Sequence, residues 1–252
     1  MYRLVVESIQ SLNQRIDLNT EQQHYLRRVL RLNDGDNFVA MNGQGQSYLA
    51  QLTGNSAQIL EIFKELTELP IAVTLIIALP KGNGFNEVVR CCTELGVATL
   101  VPTISQRTLL KPSSHKLERW RKIATEAAEQ SERQIVPSII EPIPFEKVLR
   151  NINKTAIDHY ICVPRQGARH LLTYLSHSPQ KSIVIATGCE GGWTKEEVEK
   201  AVTSGFQPVT LGRRILRAIT APIVALSLVT SVIEREIMIT PTKIKITKKE
   251  GD

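Results

Sequence analysis

Two short stretches near the carboxyl end decide how this chain reads: Thr187-Gly-Cys-Glu-Gly-Gly-Trp193 and Leu211-Gly-Arg-Arg-Ile-Leu-Arg217. Each follows an apolar run of strand type, 182–186 and 207–211, and each precedes a helical run, 195–204 and about 217–235. Loops at the carboxyl ends of successive strands are where open α/β sheets bind ligands. Gly188, Gly191, Gly192 and Gly212 allow a backbone to come close to a ligand or to take a positive φ. Plain strand-to-helix turns use the same residues. Two such loops in succession, with Thr194 able to cap the helix that opens Lys195-Glu-Glu197, favour a site.

The same grammar extends outward. From Pro70 on, strand-type runs at 71–79, 99–104 and 159–163 alternate with helical runs at 85–95 (closed by Gly96), 116–133, 145–152 and 170–176. Strands alternating with helices predict an α/β unit with a mostly parallel sheet covered on both faces. Ahead of it, short apolar groups alternate with turn signals such as Asn33-Asp-Gly-Asp36 and Asn42-Gly-Gln-Gly45, which predicts a small β-rich domain. The reading divides the chain into 1–69, 70–240 and a polar tail, 241–252. One helix, 21–32, interrupts the small domain, with Thr20 as its cap and Tyr25, Val29 and Leu32 on one face, Leu26 and Leu30 beside them. Its other face carries His24, Arg27, Arg28 and Arg31, either a solvated face or a set of phosphate contacts.

Composition narrows the classes. With 42% hydrophobic and 22% charged residues in 252 positions, the chain is neither collagen-like, disordered nor a disulfide scaffold. The formal charge of +6 permits an acidic partner such as nucleic acid without requiring one. Cys91, Cys92, Cys162 and Cys189 form no C-x-x-C pair, and the histidines have no ligand spacing, so no metal is expected. The opening residues lack an export signal, which makes a reducing, cytoplasmic setting the default. The longest uncharged run, 218–233, contains Pro222 and falls short of the ~20 apolar residues of a membrane span, so it reads as a buried helix. Lys81-Gly-Asn-Gly-Phe-Asn-Glu87 follows a strand as a dinucleotide loop would. Glu87 occupies the third glycine position, however, and no acidic ribose ligand follows the next strand. No phosphate loop of the nucleotide-hydrolase type occurs.

Taken together and in order, the motifs resemble one family. Gly188-Cys-Glu-Gly-Gly192 followed by Leu211-Gly-Arg-Arg-Ile-Leu-Arg-Ala-Ile-Thr-Ala221, with Thr93-Glu-Leu-Gly-Val97, Glu118–Arg133 and His24-Tyr-Leu-Arg-Arg-Val-Leu-Arg-Leu32 upstream, is similar to the RsmE family. These are 16S ribosomal RNA uridine N3-methyltransferases of the SPOUT, or trefoil-knot, class. The resemblance implies a PUA-like β-barrel at the amino terminus, a knotted α/β domain that forms a homodimer, and S-adenosylmethionine as cofactor. It implies cofactor contacts at Val163, Pro164, Thr187, Gly188, Cys189, Glu190, Gly191, Gly192, Leu211, Gly212, Ile215, Leu216, Thr220 and Ala221.

Methylation at N3 requires loss of an imide proton. A cation near the uracil carbonyls would stabilise the developing anion. Arg217 is the candidate, equally readable as a phosphate or carboxylate clamp, and Glu190 could orient cofactor or base. RNA contact is expected from His24, Arg27, Arg28, Arg31, Arg107, Arg119, Arg133, Arg213 and Arg214.

The chain departs from the family pattern at Cys189 (commonly Pro), Ile219 (commonly Glu), Gly84 and Cys91 (basic residues expected) and Gln106 (often Glu). These departures leave open a different RNA target, transfer RNA for instance. They also leave open an RNA-binding or ribosome-assembly role without catalysis.

Overall fold

The computed structural model describes residues 1–6, 15–151, 158–164, 167–175 and 182–239. The tail 241–252, and the ends expected for the helices at 145–152 and 170–176, lie outside the described residues. Two sheets organise the molecule. The first contains β1 (Arg3–Val5), β2 (Arg15–Asp17), β3 (Asn37–Met41), β4 (Ser47–Thr53) and β5 (Ser56–Phe63) in the order β1-β3-β4-β5-β2. β1 and β3 run parallel; the other pairs are antiparallel. A two-residue Gly54-Asn55 hairpin with Gly54 at φ +57° joins β4 to β5. Phe38, Ala40, Leu52 and Ile59 form its core together with Leu26.

The helix read over 21–32 is built differently. Helix α1 (Thr20–His24) is capped by Asn19, not Thr20: the Asn19 side chain accepts from Gln22 N and Gln22 returns a bond to Asn19 N. The chain then widens into a π-helical turn, Tyr25–Val29, with Leu30 N donating to Tyr25 O, and Arg31 leaves it at φ 59°. The extra residue per turn breaks the expected face: Leu26 is fully buried while Val29 is 57% exposed.

The second sheet holds β6 (Ala72–Ala78), β7 (Thr99–Ile104), β8 (Ser138–Ile139), β9 (Ile143–Pro144), β10 (Asp158–Cys162), β11 (Ser182–Thr187) and β12 (Gln207–Val209). Its order is β12-β10-β11-β6-β7-β8, with β9 also on β7, and every pair is parallel. Alternate residues serve opposite cores. Val73, Leu75, Ile77, Ile183 and Ile185 face α2 (Gly84–Glu94), α3 (Ser114–Gln130), α5 (Leu171–Leu175) and α7 (Thr220–Ile239). Ile76, Ala78, Val184 and Ala186 face α4 (Phe145–Asn151) and α6 (Lys195–Thr203), where Phe145 and Trp193 stack with ring centroids 4.4 Å apart. Burial on both faces is why these strands read as unbroken apolar runs.

α7 starts at Thr220, three residues later than the pattern suggested. Pro222 explains the difference. A helix begun at Arg217 would set the proline ring against the carbonyl of Ala218, whereas in the first turn its missing N–H costs nothing.

Arg133 corrects the sequence reading more sharply. α3 ends at Gln130, and Glu132, left-handed at φ 63°, reverses the chain in a Schellman-type turn with Arg133 N donating to Ala128 O at 3.0 Å. That turn carries Arg133 inward, where it is 3% exposed. Its guanidinium donates to Glu68, at 2.6 Å from Nη2, and to the carbonyls of Thr93 and Val97, each at 2.9 Å from Nη1. Glu68 lies in the connection between the two sheets, and its Oε1 also accepts from the amides of Gln134 and Ile135. Arg133 is therefore a pin at the junction of the sheets and not an RNA contact.

A second carboxyl works nearby. Glu129 on α3 accepts Val5 N at 2.7 Å. Burial pushes its carboxyl up to about 7, opposed by the Val5 hydrogen bond and assisted by Glu126.

Arg133→Ala should lower stability by about 3–5 kcal/mol in urea denaturation, because it strands a half-buried carboxylate and two buried carbonyls. An exposed phosphate contact would cost almost nothing. Because the folded chain holds the Glu129 proton where the unfolded chain has released it, stability from this group is complete below about pH 4.5 and lost as pH rises to about 7. Glu129→Gln should flatten the stability profile across that window and stabilise the protein at pH 8.

Candidate functional site

Parallel strands bring their carboxyl ends to one edge, and β11, β10 and β12 are adjacent there. The segments that follow them, Cys162-Val-Pro164, Gly188–Trp193 and Thr210–Leu216, enclose a cleft of about 270 Å³, closed on its helical side by Ala218 and Ala221. That is near the low end, about 300 Å³, of ligand pockets.

Of the residues expected at a cofactor site, Val163, Pro164, Gly188, Cys189, Glu190, Gly191, Gly192, Leu211, Ile215, Leu216 and Ala221 line this cleft. Thr187, Gly212 and Thr220 do not. Thr187 ends β11 fully buried, and Thr220 opens α7 exposed. Cys162, Trp193, Thr210 and Ala218 also line it and were not anticipated. Each is the immediate or next neighbour of an anticipated residue, so the signal available was the strand-end register. Burial pushes the Cys162 thiol up to about 12, which keeps this wall neutral.

The first glycine loop is closed on itself. Gly192 N donates to Cys189 O at 2.8 Å, and Gly192 sits at φ +67°. A Cβ on Gly188 would lie 3.0 Å from Gly192 Cα, so the two ends of the turn touch through bare backbone. Cys189, where a proline was expected, leaves the turn intact. It is buried, with its sulfur 3.7 Å from Ser105 Oγ. After the loop, Thr194 and Glu197 form the capping box that starts α6, as the sequence indicated for Thr194. In the second loop Thr210 Oγ1 bonds both the amide and the carbonyl of Gly212, which takes φ +126°.

Neighbouring loops brace the cleft from outside. Glu190 Oε1 accepts Lys81 N at 3.0 Å, tying the glycine loop to the segment after β6, and Lys116 Nζ donates to Gly82 O at 3.0 Å. Two departures from the family pattern turn out to be one contact. A Cβ on Gly84 would stand 2.7 Å from Ile219 Cδ1, so the glycine makes room for the isoleucine.

The cations separate into used and free. Arg27 is held by Asp34 and the Gly54 carbonyl, and Lys122 by Glu21. Arg107 directs Nη1 at the carbonyls of Gly191 and Trp193. His24, Arg28, Arg31, Arg119, Arg213, Arg214 and Arg217 are exposed and have no ion-pair partner among the described residues. Arg214 lines the cleft, and Arg217 stands just before α7 with its carbonyl accepting the Thr220 and Ala221 amides. A larger cleft of about 730 Å³ lies between β1, α1 and α3, where Glu21, Glu126 and Glu129 share the lining with His24 and Lys122.

Relatives agree with this arrangement. Residues 67–230 match the RNA methyltransferase domain model and residues 18–62 the RNA methyltransferase PUA domain model. Ribosomal RNA small subunit methyltransferase E of Synechocystis is 49% identical over 237 residues, spanning 92% of this chain and 78% of that protein. The protein chain belongs to the ribosomal RNA small subunit methyltransferase E family. The Bacillus subtilis member is 33% identical, covering 82% of this chain and 86% of its own. The Neisseria gonorrhoeae member, a crystal structure bound to S-adenosyl methionine, superposes with a TM-score of 0.84 at 30% identity over 92% of this chain and 98% of that one. A methyltransferase from Legionella pneumophila in complex with the cofactor gives 0.82 at 26% identity, covering 91% and 97%. The fold is thus an α/β methyltransferase with a PUA domain. Among the described residues no helix is long and apolar enough to cross a membrane, and no cluster of ligating side chains could hold a metal ion.

Gly188→Ala should destabilise the fold by about 1–3 kcal/mol, since the opposing atoms are backbone and cannot move aside. Gly192→Ala, which meets no atom within 4 Å, should cost only the ~1–2 kcal/mol of a left-handed alanine. Thermal unfolding of the two variants ranks them.

Proposed function

We propose that this protein methylates N3 of a uridine in 16S ribosomal RNA with S-adenosylmethionine, as a cytoplasmic homodimer paired through a SPOUT-type trefoil knot. On this reading, residues 1–69 are a PUA-like barrel that contacts RNA, 70–240 the knotted catalytic domain and 241–252 a polar tail. The observation that carries it is the cleft at the ends of β10, β11 and β12, lined by the loops that the family motifs mark.

The residues fit the cofactor. The walls are mostly glycine backbone and apolar side chains, with Glu190 and Arg214 among them, suited to an adenosine whose edge is read by amides and carbonyls. At the cleft and beside it, Trp193 Nε1 and Thr187 Oγ1 are buried without a hydrogen-bond partner among the described residues, two polar atoms that a polar ligand or water would satisfy. Gly188, Gly191, Leu211 and Leu216 would hold the cofactor. When bound, it supplies an electrophilic methyl group on a sulfonium.

The remaining work falls to the chain. N3 lies on the Watson–Crick edge, so the uridine must be unpaired or flipped to enter. Alignment of N3 with the methyl supplies much of the acceleration. The N3–H proton is lost to solvent or a basic group as the N–C bond forms and the methyl–sulfur bond breaks, and Arg217, exposed just before α7, would stabilise the charge that develops on the uracil carbonyls. Glu190 serves as a brace, holding the loop to Lys81 N. Arg28, Arg31, Arg119, Arg213 and Arg214, together with His24 when protonated, would meet phosphate.

Mass spectrometry of 16S ribosomal RNA from a strain lacking the protein should find N3-methyluridine missing, and its persistence at the normal level would sink the reading. Arg217→Ala should lower kcat by a hundredfold or more while calorimetric affinity for S-adenosylmethionine stays within about twofold. A fully active variant removes Arg217 from the chemistry.

A further inference from the structure

Arg107 lies outside the cleft, in the turn that follows β7, yet three independent features fasten that turn to the glycine loop. Arg107 Nη1 donates to Gly191 O at 2.6 Å and to Trp193 O at 3.3 Å. The arginine stem fills the place where a Gly191 side chain would stand: a Cβ there would meet Arg107 Cδ at 3.0 Å and Cβ at 3.2 Å. Gly191, unlike Gly192, has no positive φ, so it is bare because Arg107 packs on it and not because its backbone demands it. Thirdly, the buried Glu197 carboxylate accepts Gln106 N at 2.8 Å through one oxygen and Thr194 N at 2.9 Å through the other. The turn thus grips both the rim of the loop and the start of α6.

A guanidinium aimed at two carbonyls two residues apart fixes the peptide planes between them. Those planes belong to Gly191, Gly192 and Trp193, all of which line the cleft. A Cβ on Gly192 would meet no atom within 4 Å, so no core side chain presses on that face of the residue. We propose that Arg107 is a positioning residue that holds the Gly188–Trp193 loop in its ligand-receiving shape, and that it sets cofactor affinity without contacting RNA phosphate. The proposal rests on the cleft being the S-adenosylmethionine site.

The test uses the full-length protein. Arg107→Ala should weaken S-adenosylmethionine binding in calorimetry about tenfold, through the loss of charge-assisted bonds to the loop. The kcat at saturating cofactor should be unchanged. Arg107→Lys, which keeps the charge but can reach one carbonyl, should fall between Ala and wild type and covers the case in which Ala does not fold. Gly191→Ala should weaken binding in the wild-type background and have a smaller further effect beside Arg107→Ala, which removes the Cδ contact and leaves only the Cβ at 3.2 Å. Binding to unmethylated small ribosomal subunits across a salt series should keep its slope in both arginine variants.

Cofactor affinity equal to wild type in the arginine variants overturns the proposal while leaving the assigned function standing. Any fall in the salt slope also overturns it, since loss of one phosphate contact reduces that slope by about one. If the wild-type protein itself binds no cofactor, the assigned function fails and this proposal with it.

Discussion

The strand order β12-β10-β11-β6-β7-β8 is the constraint on which the rest of the molecule depends. β11 enters between β6 and β10, pairing over its whole length with β6 and over four residues with β10, and β12 then adds outside β10. Because all these pairs are parallel, three loops distant in sequence open on the same edge. A cleft walled by glycine backbone and mostly apolar side chains follows from that packing. No catalytic side chain has to be placed for the cleft to exist, only glycines that let the loops touch.

The loops themselves are held by charged side chains. Glu190 reaches the amide after β6, Glu197 bridges two amides, and Arg107 covers two carbonyls. Each charged group satisfies backbone groups that helix and sheet leave unpaired, which is the usual remedy at the ends of strands and helices. The same principle operates at the junction of the two sheets, where Arg133 and Glu68 together bond four backbone groups and each other. The basic character of the chain is therefore divided. Some arginines hold the protein together, and others, Arg28, Arg31, Arg119, Arg213, Arg214 and Arg217 among them, stay exposed.

The departures from the family pattern are absorbed locally. Cys189 preserves the turn because the Gly192–Cys189 hydrogen bond and the left-handed Gly192 define it, so a fixed φ at the second position is dispensable. Ile219 is accommodated by Gly84. An apolar contact thus stands where a basic and an acidic residue were expected, and such an exchange is often neutral or stabilising for packing.

Local rules made much of this legible from the amino acids alone. Alternating strand and helix runs, the Thr194 cap, the Gly96 helix stop and the glycine-rich turns depend on residues a few positions apart, and their physics is complete within those windows. Strand ends and glycines mark Gly188, Gly191 and Gly192, and the family motifs supply the other eight of the eleven anticipated cofactor-site residues that line the cleft. What the windows could not contain was decided by the tertiary structure. The π-helical turn at Tyr25 depends on Leu26 reaching the first sheet's core. The start of α7 waits for Pro222 to fall in its first turn. An arginine carries the same charge whether it faces water, a carboxylate or a carbonyl, so the inward turn of Arg133 and the grip of Arg107 on the glycine loop exist only once partners 65 and 84 residues away have been folded against them.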